Sequence, residues 1–147
     1  VFYAIVAIIF LLDRGSKLWV QHVLWPGESI QVIRGIFSLT YIHNPGAAFG
    51  MFAHQTTFFI AVSVLVVAGV TGYYLYKKPL PPAQQVALAL ICGGALGNLW
   101  DRSLYGEVID FLHLSFWPVF NLADVAIVGG TCLLVLLLWR AGEQEGR

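Results

Sequence analysis

Charge is what this sequence has least of. Only 11% of its 147 residues are Asp, Glu, Lys or Arg, against roughly 25% in a soluble domain. Eight basic and eight acidic residues cancel, which leaves neither a basic field for nucleic acid nor an acidic tail. Cysteine is nearly as scarce. Cys92 and Cys132 each sit inside an apolar run without metal-type spacing, so they read as small packing residues and imply no disulfide. There is no H-E-x-x-H, and His22, His43, His54 and His113 are scattered, which argues against a metallopeptidase. No Ala-x-Ala-like site follows the first apolar run, so it does not read as a signal-peptide core. Internal repeats and low-complexity tracts are also lacking.

What is abundant is apolar surface, with 59% of residues hydrophobic. A bilayer core needs about 20 apolar residues per helix. Four stretches meet or approach that length, over residues 1–20, 56–76, 83–100 and 119–139. The expected fold is an all-α integral membrane protein, a single membrane-embedded domain over 1–147 with four transmembrane helices. The first run begins at residue 1 without Met, so a short lead is expected ahead of it.

Four spans put both termini on one side, together with the loop that carries Lys77 and Lys78. Those lysines and Arg140 stand at bare helix ends and mark that side as cytoplasmic. Arg14, Lys17, Arg34 and Arg102 fall opposite, but three of them adjoin acids or amides. The same opposite side collects Asp13, Glu28, Asp101, Glu107, Asp110 and Asp124, all four histidines, and Trp19, Trp25, Trp100 and Trp117. Tryptophan belts mark a membrane interface. The chemistry is therefore expected at the outer membrane–water boundary.

Residues 26–54 do not read as a span. Pro26-Gly27 is a turn signal, and Phe37, Leu39 and Tyr41 alternate with Ser38 and Thr40 as in a strand. A strand cannot face lipid with its backbone unpaired. This region is expected to form a small extracytoplasmic β region between the first two helices, with a second candidate strand over 107–114.

Charged groups near a span are costly and so are functional candidates. Asp13 and Lys17 are spaced i,i+4 for pairing on one helix face, as a structural salt bridge. Asn44-Pro45-Gly46-Ala47-Ala48-Phe49-Gly50 combines a turn with small residues, where Asn44 can offer its amide to a peptide backbone. In Gly93-Gly94-Ala95-Leu96-Gly97-Asn98-Leu99-Trp100-Asp101-Arg102, Gly93 and Gly97 form a small-xxx-small packing face. Asn98, Asp101 and Arg102 share a face of that helix. Asp110 lies among apolar neighbours in Val108–Phe111, and Asp124 lies one turn into the last span with Asn121 on the same face. Thirteen intervening residues are enough to bring the two acids together.

Asp13…Lys17, NPGAAFG, GNLWDR, VIDF and FNLAD, in that order with four spans, resemble the lipoprotein signal peptidase family, also called signal peptidase II. The resemblance covers nearly the whole chain. It implies an aspartic endopeptidase of the bacterial inner membrane that removes the signal peptide from prolipoproteins, cleaving before a diacylglyceryl-modified cysteine. Asp110 and Asp124 match the catalytic pair. Asn44, Asn98, Arg102 and Asn121 match substrate contacts, while Asp13, Lys17, Gly94, Asp101 and Ala123 match supporting positions. The implied partners are the lipidated prolipoprotein, membrane lipids and globomycin-type cyclic peptides; no cofactor or metal is implied. A proton-coupled transporter is the main rival, but its polar groups belong near mid-membrane, whereas these acids cluster at one end. A non-enzymatic scaffold has no use for paired acids beside amides.

Overall fold

The computed structural model describes residues 1–46 and 54–145. Four helices and three strands follow in the order α1 (Phe2–Val23), β1 (Ser29–Ile33), β2 (Phe37–Asn44), α2 (Thr56–Tyr76), α3 (Pro82–Tyr105), β3 (Val108–Leu114) and α4 (Leu122–Glu145). At 1.5 Å per residue the four helices run about 30–36 Å, close to the thickness of a bilayer core. Two of them, Thr56–Tyr76 and Leu122–Glu143, are long and apolar enough to cross a membrane on length and composition. α1 and α3 carry the polar groups that interrupt their apolar character.

α3 is the central helix and packs against α1, α2 and α4. Its small residues make that possible. A Cβ on Gly97 would strike the Asp13 carboxylate of α1, and one on Gly94 would strike the Ala123 carbonyl of α4. Gly93 lies against Ile9 and Val6 of α1, as its spacing from Gly97 predicts. Cys92 is buried in the cluster of Phe2, Tyr74, Leu88 and Ala89, which fits a packing role. Cys132 does not, because it faces outward from α4. Outward faces are broadly apolar: Leu11 and Leu12 on α1, Leu65 on α2, and Val128, Val135 and Trp139 on α4 are all exposed. Apolar surface this extensive suits lipid and is unusual against water.

The strands form an antiparallel sheet in the order β1-β2-β3. Gly35, at φ +72, supplies the left-handed residue of the β1–β2 turn. β1 was not foreseen from the sequence. The β2 strand runs three residues beyond the alternating segment 37–41, through Asn44. Tyr41, Ile109 and Phe111 of the sheet pack on Val20 and Leu24 at the end of α1. The sheet therefore sits at the end of the bundle where α1 and α3 finish and α2 and α4 begin. Trp19, Trp25, Trp100 and Trp117 lie exposed there. Helix α4 starts at Leu122, so residues 119–121 lie outside it: Asn121 caps the helix, and Phe120 pairs with Leu112. Of the 44–50 motif, Ala47 to Gly50 fall outside the described residues.

The glycine contacts carry a stability prediction. Gly94→Ala should destabilise the detergent-solubilised protein by about 1–3 kcal/mol, as expected of over-packing against fixed backbone. Gly72→Ala, whose Cβ would meet nothing within 4 Å, should be neutral or mildly stabilising. Thermal unfolding of the two variants checks this, and equal melting temperatures would contradict it.

Candidate active site

Asp110 and Asp124 come together through local pairing. Asp110 stands in β3 opposite Ile42. Beyond it the chain turns back, and Phe120 exchanges hydrogen bonds with Leu112, its N–H at 2.9 Å from the Leu112 carbonyl and its carbonyl at 2.8 Å from the Leu112 N–H. That closure delivers Asn121 to the mouth of α4. There the Asn121 Oδ1 accepts from the Asp124 N–H at 3.0 Å, and the Asp124 Oδ2 accepts from the Asn121 N–H at 3.1 Å. This reciprocal cap fixes Asp124 at the third position of the helix.

Each of the four carboxylate oxygens receives one fixed N–H. Asp110 Oδ1 accepts from Asn121 Nδ2 at 2.7 Å, and Asp110 Oδ2 from Asn44 Nδ2 at 2.8 Å. Asp124 Oδ1 accepts from Asn98 Nδ2 at 2.8 Å, and Oδ2 takes the backbone bond of the cap. Asn121 Nδ2 also reaches Asn98 Oδ1 at 3.1 Å, tying the two holders together. Among the described residues, the hydrogen bonds to the two acids come from amide N–H groups, with no hydroxyl or cation among the donors.

Their surroundings differ. Asp110 is 2% exposed, between Ile109 and Phe111, whereas Asp124 is half-buried. Burial, and next the negative charge of Asp124, push the Asp110 carboxyl up to about 7, against the opposing hydrogen bonds from Asn44 and Asn121. Asp124 stands in the first turn of α4, where the positive end of the helix dipole favours an anion.

Beneath the pair lies a second polar layer. Lys17 is fully buried, and its ammonium donates to Asp13 Oδ2 at 2.8 Å, to Asp101 Oδ2 at 2.8 Å and to Asn98 Oδ1 at 3.2 Å. Asp13 Oδ1 accepts the Ala123 N–H at 3.0 Å, and Asp101 Oδ2 the Ile109 N–H at 3.3 Å. Arg14 pairs with the other Asp101 oxygen. Two acids and two cations balance.

The acids open onto a cleft of about 440 Å³ between α2, α3 and α4. Asn44, Asn98 and Arg102 line it beside Asp110 and Asp124, and Val62, Val66, Ile127 and Val128 make its walls apolar toward mid-bundle. The Arg102 guanidinium lies 4.8 Å from the centre of the Phe59 ring and donates to the Gly46 carbonyl at 3.3 Å. Among the described residues, no three or more His, Cys, Asp or Glu side chains are arranged to hold a metal ion.

All six residues read as catalytic or substrate-binding from the sequence are therefore neighbours. Asp101 is not among the cleft-lining residues: it is fully buried below with Lys17 and Arg14, although it shares its helix with Asn98 and Arg102. Asn44 spends its amide on Asp110, and its Oδ1 accepts the Gly46 N–H at 3.0 Å. The sequence reading missed Arg14 as the partner of Asp101. Missed too was the cap, although Asn121-x-x-Asp124 ahead of an apolar run is its signal.

The chain matches the family described as Signal peptidase (SPase) II over residues 5–140. It is 46% identical to the lipoprotein signal peptidase of Pelotomaculum thermopropionicum, covering 99% of this chain and 95% of that one. With the lipoprotein signal peptidase of Moorella thermoacetica it shares 48% identity, over 97% and 96% of the two chains. A solved structure described as a bacterial membrane enzyme superposes with a TM-score of 0.91 at 28% identity, covering 97% of this chain and 90% of that one. A second, so described, gives 0.83 at 30% identity, over 93% and 91%. On sequence and fold together, the chain belongs to the signal peptidase II family of lipoprotein signal peptidases.

Proposed function

We propose that this protein is an aspartic endopeptidase that removes the signal peptide from diacylglyceryl-modified bacterial prolipoproteins, cutting before the lipidated cysteine. The observation that carries the reading is the pair of carboxylates whose four oxygens are each held by an N–H, at the mouth of an apolar cleft. Hydrolysis of a peptide without a metal needs a base for the water and an acid for the leaving nitrogen. Two nearby carboxylates sharing one proton supply both. Asp124 acts as the base and takes a proton from water as its oxygen bonds to the scissile carbonyl carbon. Asp110 acts as the acid and gives its proton to the nitrogen as the carbon–nitrogen bond breaks. Passage of a proton from Asp124 to Asp110 restores the starting state. Arg102 stays protonated throughout and holds the substrate, together with Asn44 and Asn98 at the cleft; Asn121, expected beside them as a substrate contact, is fully buried and instead holds the acids. A globomycin-type cyclic peptide would compete for the same cleft.

In this reading all four helices cross the inner membrane as a single peptidase domain, with both termini cytoplasmic and the acids at the outer face. Support comes from the distribution of charge: Lys77, Lys78 and Arg140 stand at the end of the bundle opposite the sheet, the acids and the four interfacial tryptophans. An impermeant thiol reagent added outside the cell should label Ser29→Cys but leave Gln84→Cys untouched. Labelling of Gln84→Cys would reverse the orientation.

Cleavage by the purified protein should require the lipid on the cysteine. A site at the interface takes acyl chains from the bilayer, and each buried CH₂ adds about 0.8 kcal/mol to productive binding. Equal cleavage of lipidated and unlipidated precursor would rule this out.

Asp110→Asn and Asp124→Asn should each abolish turnover in a folded protein, whereas Asp101→Asn should lose less. Because the acid must carry its proton, kcat/KM should fall as pH rises through about 7. An active Asp110→Asn protein beside a dead Asp101→Asn protein would reassign the pair.

A further inference from the structure

The hydrogen-bond network raises a question that the acids alone do not answer. A carboxamide is nearly symmetric in shape, and Asn98 could present either its oxygen or its NH₂ to Asp124. Only the NH₂ is useful there, since an amide oxygen facing a carboxylate would repel it. The choice is made on the far side of the residue. Asn98 Oδ1 has two donors against it, the Lys17 ammonium at 3.2 Å and Asn121 Nδ2 at 3.1 Å. Reversing the amide would set its NH₂ against both an ammonium and another NH₂. With both oxygen lone pairs taken, the Asn98 NH₂ has to face Asp124, where it donates at 2.8 Å.

The same logic extends to Asp110. Asn121 Oδ1 is held by the Asp124 N–H, so the Asn121 NH₂ turns to Asn98 Oδ1 and to Asp110 Oδ1 at 2.7 Å. Lys17 is the fixed point of this chain. It is fully buried and is not among the residues lining the cleft. All three of its N–H bonds are committed, two to carboxylates and the third to Asn98. Neutralising Asp13 and Asp101 accounts for the first two. The third serves no charge balance.

We propose that Lys17 is a positioning residue for peptide hydrolysis: by holding the Asn98 oxygen it dictates which way that amide points, turning its NH₂ to Asp124 and keeping its oxygen in place for the Asn121 NH₂ that holds Asp110. This inference rests on the assignment of Asp110 and Asp124 as the catalytic pair.

The test separates orientation from charge balance. Lys17→Met removes both and leaves two acids against one cation. Asp13→Asn/Lys17→Met removes an anion with the cation, keeps an oxygen for the Ala123 N–H, and leaves the Arg14–Asp101 pair in place. Cleavage of a diacylglyceryl-modified prolipoprotein is measured for both across pH, with unfolding temperatures. The double variant should recover stability relative to Lys17→Met, yet its kcat should stay down by about ten- to a hundredfold, the equivalent of one charge-assisted hydrogen bond, with KM near wild type. In Lys17→Met, loss of a nearby positive charge should also move the basic limb of the pH profile upward, because Asp110 then holds its proton more tightly. A counter-ion role alone would move the limb in the same way but would leave kcat of the double variant at the wild-type value. If Lys17→Met does not accumulate, the double variant decides alone. Wild-type kcat in the double variant would overturn the inference and leave Lys17 as a counter-ion. An active Asp110→Asn protein in the same assay would instead remove the catalytic assignment, and the inference with it.

Discussion

A single buried ammonium organises the end of this bundle. Lys17 has no exposed surface, so its charge has to be met entirely by protein. An unpaired buried charge is among the most destabilising features a fold can contain, and breaking such a pair costs about 3–5 kcal/mol. The acceptors come from α1 as Asp13 and from α3 as Asp101 and Asn98. Those acids use their remaining capacity on other elements, Asp13 on the first turn of α4 and Asp101 on the start of β3. One cation thus ties two helices directly and a third helix and a strand through its counter-ions. Gly97 completes the arrangement by letting the Asp13 carboxylate lie against α3, which a side chain there would prevent.

The proposed chemistry is built one layer above. The charged layer sets the positions of the amides, and the amides set the positions of the acids. The two acids then diverge because one sits on an apolar strand and the other at a helix N-terminus. Burial in β3 favours the neutral form of Asp110, while Asp124 stands only half-buried in the first turn of α4. A dyad that must hold one proton between two carboxyls gains a built-in direction from this contrast. The cleft supplies the other requirement. Its polar rim of Asn44, Asn98 and Arg102 gives way to Val62, Val66 and Val128, so that a substrate with an apolar segment finds matching surface along the helices.

Helices α2 and α4 were legible from apolar run length alone, and Pro82 and Gly106 bound α3 as such residues should. The acids and amides were legible because charge is so scarce that each polar residue near a span demands a reason. Asp101 shows where this reading stops. Helical spacing puts it near Asn98 and Arg102 but says nothing of which neighbour each one meets, and its partners are Lys17 and Arg14 of α1, Arg14 lying 87 residues away. β1 escaped because its Ser29–Ile33 segment is exposed throughout, with no buried face to impose a clear alternation. The start of α4 was set three residues early because Val119 and Phe120 extend the apolar run, although the Asn121 cap overrides it.

The proposal turns on Asp110 carrying the proton of the pair. Infrared spectroscopy of the purified protein, held below pH 7, tests it directly, because a protonated carboxyl absorbs apart from a carboxylate. The wild-type spectrum should contain a protonated-carboxyl band that Asp110→Asn removes. A band that survives Asp110→Asn and vanishes in Asp124→Asn would contradict the account.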